Sequence, residues 1–505
     1  MKKIVLVLLG FCNAISCLAQ IATSNKSRAI QSPPAAPVIK GAVCQLPTKI
    51  WDKTFGGDVD EQLYDVINTK DGGYIMGGFT YSSQSGDKTQ PTQGFYDYWI
   101  VKIDNSGNKV WDKRFGGDFF DFMRVIVPDK NGGYLLGGTS SSGISGDKTE
   151  SLMGYSDYWI VKIDANGNKI WDKRFGGNGR DDLNTIAATS DGGYLLGGTT
   201  ESDLSGDITE SSRGIADYWV VKIDSLGNKL WDKRFGGAGI DVNKSVISTP
   251  DKGFLLGGYS DSDISGDRTE STRGNYDYWV VKIDSLGNKI WDKRFGGSGS
   301  DMLAMVIMTH DNRYILAGTS ESPNDGDKTE NSRGWSDYWV VKIDDMGNKL
   351  WDKRFGSFAS DNLTSILATP DGSFLLCGDS NSGIAGDKTE QSNLTDFWVV
   401  KINSNGNKIF DKQLGGNNSD FGTIATLTTD GNFLLAGSSS SGISGDKSQA
   451  SQGWTDYWAI KISICQSVTS FCESQTYTLA ATNCAGTVTW STGAVVNSIE
   501  VSNPG

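Results

Sequence analysis

Residues 169–228 read KIWDKRFGGNGRDDLNTIAATSDGGYLLGGTTESDLSGDITESSRGIADYWVVKIDSLGN, and close copies of this stretch recur along most of the 505-residue chain. The first marker of the repeat, WDKRFGG or a variant of it, begins at Trp51, Trp111, Trp171, Trp231, Trp291, Trp351 and Phe410. The second marker, Asp-Tyr-Trp or once Asp-Phe-Trp, begins at Asp97, Asp157, Asp217, Asp277, Asp337, Asp396 and Asp456. Seven copies of one unit indicate a repeat array rather than several unrelated domains.

Each unit is predicted to contain four short β-strands. In the quoted copy they cover residues 169–175, 183–189, 194–200 and 217–224. The segments are rich in aromatic and β-branched residues, and Asp191-Gly192-Gly193 is a typical hairpin turn because glycine permits positive φ. A long polar loop, residues 201–216, separates the last two strands. This pattern is typical of a propeller blade.

The two ends of the array indicate how it closes. The array opens with a WDK-type strand, residues 49–55, and ends with a DYW-type strand, residues 456–463. These two types form a hairpin in every internal copy, and an open array would leave both as unpaired edges. The sequence therefore predicts an all-β, seven-bladed propeller of four-stranded blades closed by its terminal strands. The WDK strand is expected outermost, and the strand ending near Thr189 is expected to line the central channel.

The remainder of the chain is predicted to hold an export signal and two accessory segments. Lys2 and Lys3 precede an apolar stretch, and Ala19 suits a signal-peptidase cut, so residues 1–19 are interpreted as a signal peptide. Lipidation at Cys17 is an alternative, although the residues before it match a lipobox poorly. Residues 20–43 are interpreted as a flexible leader, residues 44–465 as the propeller and residues 466–505 as a partial β module.

Five cysteines follow the predicted signal peptide. Cys44 and Cys465 align with neighbouring positions of one hairpin turn, so a disulfide between them is predicted to lock the ring. Closing so long a loop contributes on the order of 4 kcal/mol in the chain-entropy model. Cys472 and Cys484 are predicted to form a second disulfide, and Cys377, which replaces Gly197 of the sister copy, is expected to be a free buried thiol.

The unit DGGYLLGGTT…DYWVVKIDSLGNKLWDKRFGG resembles the delta-sixty type of propeller repeat of secreted bacterial proteins, over roughly residues 44–465. The tail, FCESQTYTLAATNCAGTVTWSTGAVVNSIEVS, resembles Ig-like modules that precede sorting domains in Bacteroidota proteins using the type nine secretion system. It stops without enough strands for a sandwich, which suggests that the sequence is a fragment or ends prematurely. The resemblance implies a secreted or cell-surface multidomain protein, often adhesin-like, and supplies no catalytic residues.

Composition argues against several function classes. The net charge of −13 disfavours a nucleic-acid or anionic-membrane surface, because both need a basic patch. No apolar run after the signal reaches membrane length. The single histidine, His310, lies in a predicted surface turn, which argues against the commonest zinc sites and a Ser-His-Asp triad. We therefore expect no enzyme activity.

Tryptophans are the first candidates for ligand binding. Thirteen of the sixteen belong to the two strand markers, and we expect them to pack between blades rather than to bind sugar. Trp335 and Trp454 differ because they lie in the long loop before Asp-Tyr-Trp, where they could stack on a glycan or cap the blade edge.

Repeated carboxylates are the second candidates. One set, just after the Gly-Gly turn, is expected to accept backbone N–H bonds rather than to bind cations: Glu61, Asp121, Asp181, Asp241, Asp301, Asp361 and Asp420. The other set lies in the SGDKTE loop and its variants, and its alternate spacing allows Ca²⁺ as the one possible cofactor: Asp147, Glu150, Asp207, Glu210, Asp267 and Glu270. Asx turns and salt links are the competing interpretation.

The leading functional hypothesis is a secreted or surface, non-catalytic adhesion protein that binds a glycan or an extracellular protein. It is expected to be a monomer and to use the rim carrying the long loops, because variable loops on a rigid scaffold carry function. The alternatives are an extracellular glycan-active enzyme with paired carboxylates, and a structural spacer in a larger adhesin.

Overall fold

Each repeat folds into one four-stranded sheet, and seven such sheets form the blades of a β-propeller. The computed structural model describes residues 47–130, 132–463, 477–480 and 498–501. The predicted fold class is confirmed.

The strands occupy four positions in a blade. The innermost strands are β2 (Glu61–Asn68), β6 (Asp121–Pro128), β10 (Asp181–Ala188), β14 (Asp241–Ser248), β18 (Asp301–Met308), β22 (Asp361–Ala368) and β26 (Asp420–Leu427). Next to them are β3 (Tyr74–Thr80), β7 (Tyr134–Ser140), β11 (Tyr194–Thr200), β15 (Phe254–Ser260), β19 (Tyr314–Ser320), β23 (Phe374–Ser380) and β27 (Phe433–Ser439). The third strands are β4 (Asp97–Ile103), β8 (Asp157–Ile163), β12 (Asp217–Ile223), β16 (Asp277–Ile283), β20 (Asp337–Ile343), β24 (Asp396–Ile402) and β28 (Asp456–Ser463). The outermost are β5 (Lys109–Phe115), β9 (Lys169–Phe175), β13 (Lys229–Phe235), β17 (Lys289–Phe295), β21 (Lys349–Phe355), β25 (Lys408–Leu414) and β1 (Thr48–Phe55). Blade 1 begins with β2, and blade 7 is β26, β27, β28 and β1.

The innermost strands contact their counterparts in both neighbouring blades and so line the channel, as predicted. Each begins earlier than its apolar pattern suggested: β10 starts at Asp181 because that residue already pairs with Thr200. The register of β10 shifts between Leu183 and Thr185, which leaves Asn184 as a bulge residue. Bulges re-aim a side chain, so this position differs from its neighbours in what it can contact.

The hairpin turn between β10 and β11 has the predicted geometry. Gly192 adopts a φ of +86°, which a residue with a Cβ rarely adopts. Its N–H donates to the Thr189 carbonyl at 2.9 Å, and Thr189 N–H donates to Gly193 at 3.0 Å.

Ring closure takes the predicted form, because β1 joins the last blade beside β28. Trp458 Nε1 donates to Asp52 Oδ2 at 3.2 Å, just as Trp219 Nε1 donates to Asp232 Oδ2 at 3.1 Å inside an internal blade. The innermost strand β2 also contacts both β26 and β6. The terminal blade is therefore built by the same contacts as the internal ones.

Neighbouring blades are joined by a repeated aromatic contact. The Tyr158 ring lies 4.7 Å from the Trp219 ring of the next blade, and its hydroxyl donates to the Trp219 carbonyl at 2.9 Å. Between blades 6 and 7, Phe397 replaces this tyrosine and packs on Trp458 without a hydroxyl. The other five tyrosines repeat both contacts: Tyr98, Tyr218, Tyr278, Tyr338 and Tyr457. All seven DYW tryptophans are fully buried, which confirms their predicted packing role.

Cys377 is a free, fully buried thiol in β23, as predicted, and burial raises its pKa. The proposed disulfides Cys44–Cys465 and Cys472–Cys484 lie outside the described residues, as do the signal peptide and the leader.

Beyond the propeller, β29 (Tyr477–Ala480) and β30 (Ser498–Val501) form one antiparallel pair. This pair is the described part of the segment that resembles an Ig-like module. No helix in the described part of the chain is long and apolar enough to cross a membrane.

Replacing one inter-blade tryptophan should cost much of the protein's stability. We expect Trp219→Ala to lower the free energy of unfolding by about 3–5 kcal/mol, because it leaves a cavity between two blades. Urea unfolding followed by circular dichroism measures the loss. Trp335→Ala is the matched control, since Trp335 is 83% exposed and its truncation should change stability by less than about 0.5 kcal/mol. Equal losses for both variants would contradict this packing role.

Candidate functional site

The long loops and the connections before the innermost strands emerge on the same rim, as predicted. Ser156, at the end of a long loop, forms a parallel bridge with Arg180, which directly precedes β10. Asp207 N–H, within the next long loop, donates to the Gly176 carbonyl at 2.9 Å. We call this surface the long-loop rim.

The carboxylates that open the innermost strands are structural. Asp181 is fully buried; its Oδ2 accepts the Gly177 N–H at 2.7 Å and the Ser202 hydroxyl at 2.9 Å. Each of the others is fully buried and accepts the N–H four residues before it: Glu61, Asp121, Asp241, Asp301, Asp361 and Asp420. The expected backbone-binding role is confirmed.

Five of the six SGDKTE carboxylates proposed for calcium pair with cations of the WDKRF strands. Asp147 accepts from Arg114 at 2.8 Å, and Glu150 accepts from Lys173 at 3.1 Å and from the Arg174 N–H at 2.9 Å. Asp207 and Glu210 pair with Arg174 and Lys233.

The third copy follows this pattern in part. Glu270 pairs with Lys293 of strand β17 at 3.3 Å, whereas Asp267 pairs with Arg213 of the preceding long loop at 2.6 Å. No three histidine, cysteine or acidic side chains of the described residues are grouped so that they could hold a metal ion. These contacts are the salt links of the competing interpretation.

Paired carboxylates do occur beneath the rim. In each blade, the third strand begins with a buried aspartate, which lies near the acidic residue that begins the innermost strand of the next blade. Asp97 and Asp121 form one such pair, and burial raises the pKa of Asp97 to about 6 although Arg114 lies 3.7 Å away. Burial, with repulsion from Glu61, raises the pKa of Asp456 to about 7. Both members of these two pairs are fully buried, so a substrate at the rim does not reach them.

Trp335 and Trp454 are strongly exposed on the long-loop rim, at 83% and 76%. The backbone N–H of Trp335 donates to the Ala359 carbonyl at 3.1 Å, which fixes the main chain at this position. Both tryptophans stand two residues before the second repeat marker. In the other five blades this position is occupied by Phe95, Tyr155, Ile215, Asn275 and Leu394, of which Asn275 alone has no apolar or aromatic side chain. We call these seven positions the rim ring, and its apolar members are all exposed.

An aromatic cluster joins the rim ring to the mouth of the channel at blades 1 and 2. Its members are Tyr64, Phe79, Tyr81, Phe95, Tyr96, Phe119, Phe120 and Phe122. Phe120 stacks on Phe122 at 5.9 Å with an interplanar angle of 10°. Phe95 and Phe119 are nearly half exposed, so the cluster presents ring faces to solvent.

This cluster is not predicted by the repeat pattern, although one copy departs from its sister copy there. Residues 117–122 read GDFFDF where the sister copy, residues 177–182, reads GNGRDD. The residues that all copies share do not indicate this cluster, because it arises where one copy differs from the others.

A cavity of about 390 Å³ lies beside the aromatic cluster, in blades 2 to 4. Phe122 forms one wall, and bulge residues of the innermost strands, Arg124, Asn184 and Lys244, project into it. Its size is within the range of small-molecule sites.

Comparisons with known proteins give distant likenesses. No family model matches the chain. The regulatory protein FlaEY of Caulobacter vibrioides is 21% identical over 227 residues, 43% of this chain and 24% of that protein. An uncharacterised WD repeat-containing protein of Acanthamoeba polyphaga mimivirus is 21% identical over 198 residues, 32% of this chain and 14% of that protein. The chain thus spans about a quarter or less of the length of these curated relatives.

Among solved structures, a protein of unknown function from Dyadobacter fermentans gives a TM-score of 0.45 at 12% identity, covering 83% of this chain and 99% of that one. The WD40 domain of Neurospora crassa Pan2 gives 0.41 at 10% identity, covering 80% and 89%. The chain is therefore described by its own geometry: a seven-bladed propeller whose long-loop rim carries exposed aromatics and a cavity.

Stability should rise as the pH falls from 7.5 to 5. The pKa of Asp97, Asp157, Asp337 and Asp396 is raised by burial to about 6 in the folded protein, against 3.8 ordinarily. The folded state therefore binds protons more tightly than the unfolded state in this window, and protonation relieves the cost of buried charge. Thermal unfolding should show a higher Tm at pH 5 than at pH 7.5.

Asp456→Asn tests the cause of this dependence. It removes one buried charge while an amide oxygen can still accept the Gln452 N–H, so Tm at pH 7.5 should increase and the pH dependence should shrink. A Tm that falls steadily from pH 7.5 to 5 in the unaltered protein would contradict the assignment.

Proposed function

We propose that this chain is an exported, non-catalytic binding protein that holds a glycan on its long-loop rim. The observation that carries the proposal is the concentration of exposed aromatic side chains on that rim. Trp335 and Trp454 stand on a ring fixed by buried contacts, and large exposed aromatic side chains on a rigid scaffold are typical of binding anchors.

Aromatic faces combined with polar neighbours favour a glycan over a protein as the ligand. The partly exposed rings of Phe95 and Phe119 belong to the same aromatic cluster as Phe122, which is one wall of a cavity lined by hydroxyl, amide and charged groups. A sugar ring presents both an apolar face and hydroxyls, whereas a stable protein interface needs a broad apolar core. Binding of an extracellular protein is the competing outcome.

A non-catalytic role agrees with where the carboxylate pairs lie. A glycoside hydrolase needs two carboxyl groups that flank the scissile bond. The pairs formed by Asp97 with Asp121 and by Asp456 with Glu61 are buried beneath the rim, and this arrangement repeats from blade to blade. A spacer, by contrast, has no need of exposed tryptophans.

The signal-like N-terminus supports export to the cell surface or the medium. The net charge of −13 supports a partner other than nucleic acid.

Truncating the rim tryptophans should weaken glycan binding. A glycan array probed with the full chain should give defined hits, and Trp335→Ala or Trp454→Ala should raise the Kd for at least one hit about fivefold or more, as ~1 kcal/mol per anchor implies. Leu230→Ala, at an exposed position of the outer strand β13, is the matched control and should leave Kd unchanged. Absence of any hit from folded protein would overturn the proposal, and release of reducing sugar would overturn its non-catalytic part.

A further inference from the structure

Three consecutive blades place polar or charged residues at one unusual position. Arg124, Asn184 and Lys244 are the bulge residues of β6, β10 and β14, and all three line the cavity at the channel mouth. The neighbouring blades have Tyr64 and Ala304 at this position, so the fold itself requires no charge there. The two cations are a specific feature of this sector of the ring.

Neither cation has an anionic partner among the described residues. Arg124 lies over the Tyr64 ring, with its guanidinium carbon 4.1 Å from the ring centre, and forms no salt bridge in the described part of the chain. The Lys244 ammonium group likewise has neither a hydrogen bond nor an ion pair there; burial and repulsion from Arg124 lower its pKa. In contrast, the SGDKTE carboxylates of the long loops pair with cations of the outer strands or, for Asp267, with Arg213 of the preceding long loop.

The acidic side chain that acts on Lys244 is already engaged. Asp182 opposes the lowering of the Lys244 pKa, but it pairs with Arg180 at 3.7 Å and accepts the Ser156 hydroxyl at 3.1 Å. A ligand carboxylate between Arg124 and Lys244 would therefore relieve their repulsion and gain charge-assisted hydrogen bonds.

The rest of the cavity suits a polyhydroxylated molecule. Ser141 and Glu201 contribute a hydroxyl and a carboxylate to its wall, which can donate to and accept from sugar hydroxyls. Phe122 offers an apolar wall that continues into the aromatic cluster.

We infer that this cavity binds an acidic sugar of the glycan, with the sugar carboxylate between Arg124 and Lys244 and the apolar face of its ring on Phe122. The inference rests on the proposed function, because it names the sugar class that the rim recognises. The two unpaired cations, Arg124 and Lys244, would then select acidic sugars over neutral ones.

Matched acidic and neutral probes test this directly. Isothermal titration calorimetry on the full chain would compare trigalacturonic acid with its methyl ester, and sialyllactose with lactose. At least one acid should bind about tenfold or more tightly than its neutral partner, since hydrogen bonds to charged groups are the stronger ones. Lys244→Ala, which copies Ala304 of the next blade, and Arg124→Gln should each remove most of this preference.

Lys130→Ala removes an exposed lysine remote from the cavity and should leave the preference unchanged. If neutral glycans bind and respond to Trp335→Ala while no acid is preferred, the inference fails and the proposed function stands. If no glycan binds, both fail. Binding of triglutamate as tightly as the sugar acids would assign the cavity to acidic peptides and also overturn the inference.

Discussion

The structure depends on one contact made seven times, the packing of an aromatic ring of one blade on a buried tryptophan of the next. The last of these contacts joins Tyr457 to Trp99, so the series has no free end. Because the blades are fixed in this way, each innermost strand contacts its counterparts on both sides, and all long loops emerge on one rim. The rim is therefore a rigid platform on which individual side chains can vary.

Function has to be sought where the blades differ. Residues that recur in every blade, such as the Asp181 carboxylate, hold the backbone of the connecting loops. Trp335 and Lys244 do not hold the backbone in this way. At the same repeat positions, neighbouring blades have Asn275 and Ala304, whose side chains differ in chemistry. Side chains that the repeat does not require and that face the rim or its cavity are the best indication of a binding surface.

The repeat pattern was sufficient to predict the strands, their order and the closure by residues 49–55, because these follow from alternation, turn chemistry and edge pairing. It did not predict that β10 begins at Asp181, since the apolar residues of the strand start only at Leu183 and the pairing of Asp181 with Thr200 is visible only in the structure. It also missed Arg124, because a bulge residue is recognised only once the register is known. The partners of Asp147 lie far along the chain and could not be assigned from spacing.

Hydrogen exchange of strand β1 tests the closed ring most directly. If β1 pairs with β28 as the outer strand of blade 7, its hydrogen-bonded amides should be protected to the same degree as those of β13, the outer strand of an internal blade. Mass spectrometry of peptides covering residues 48–55 and 229–235 makes the comparison within one sample. Exchange of β1 as fast as that of the exposed loops, with β13 protected, would contradict closure by the terminal strand.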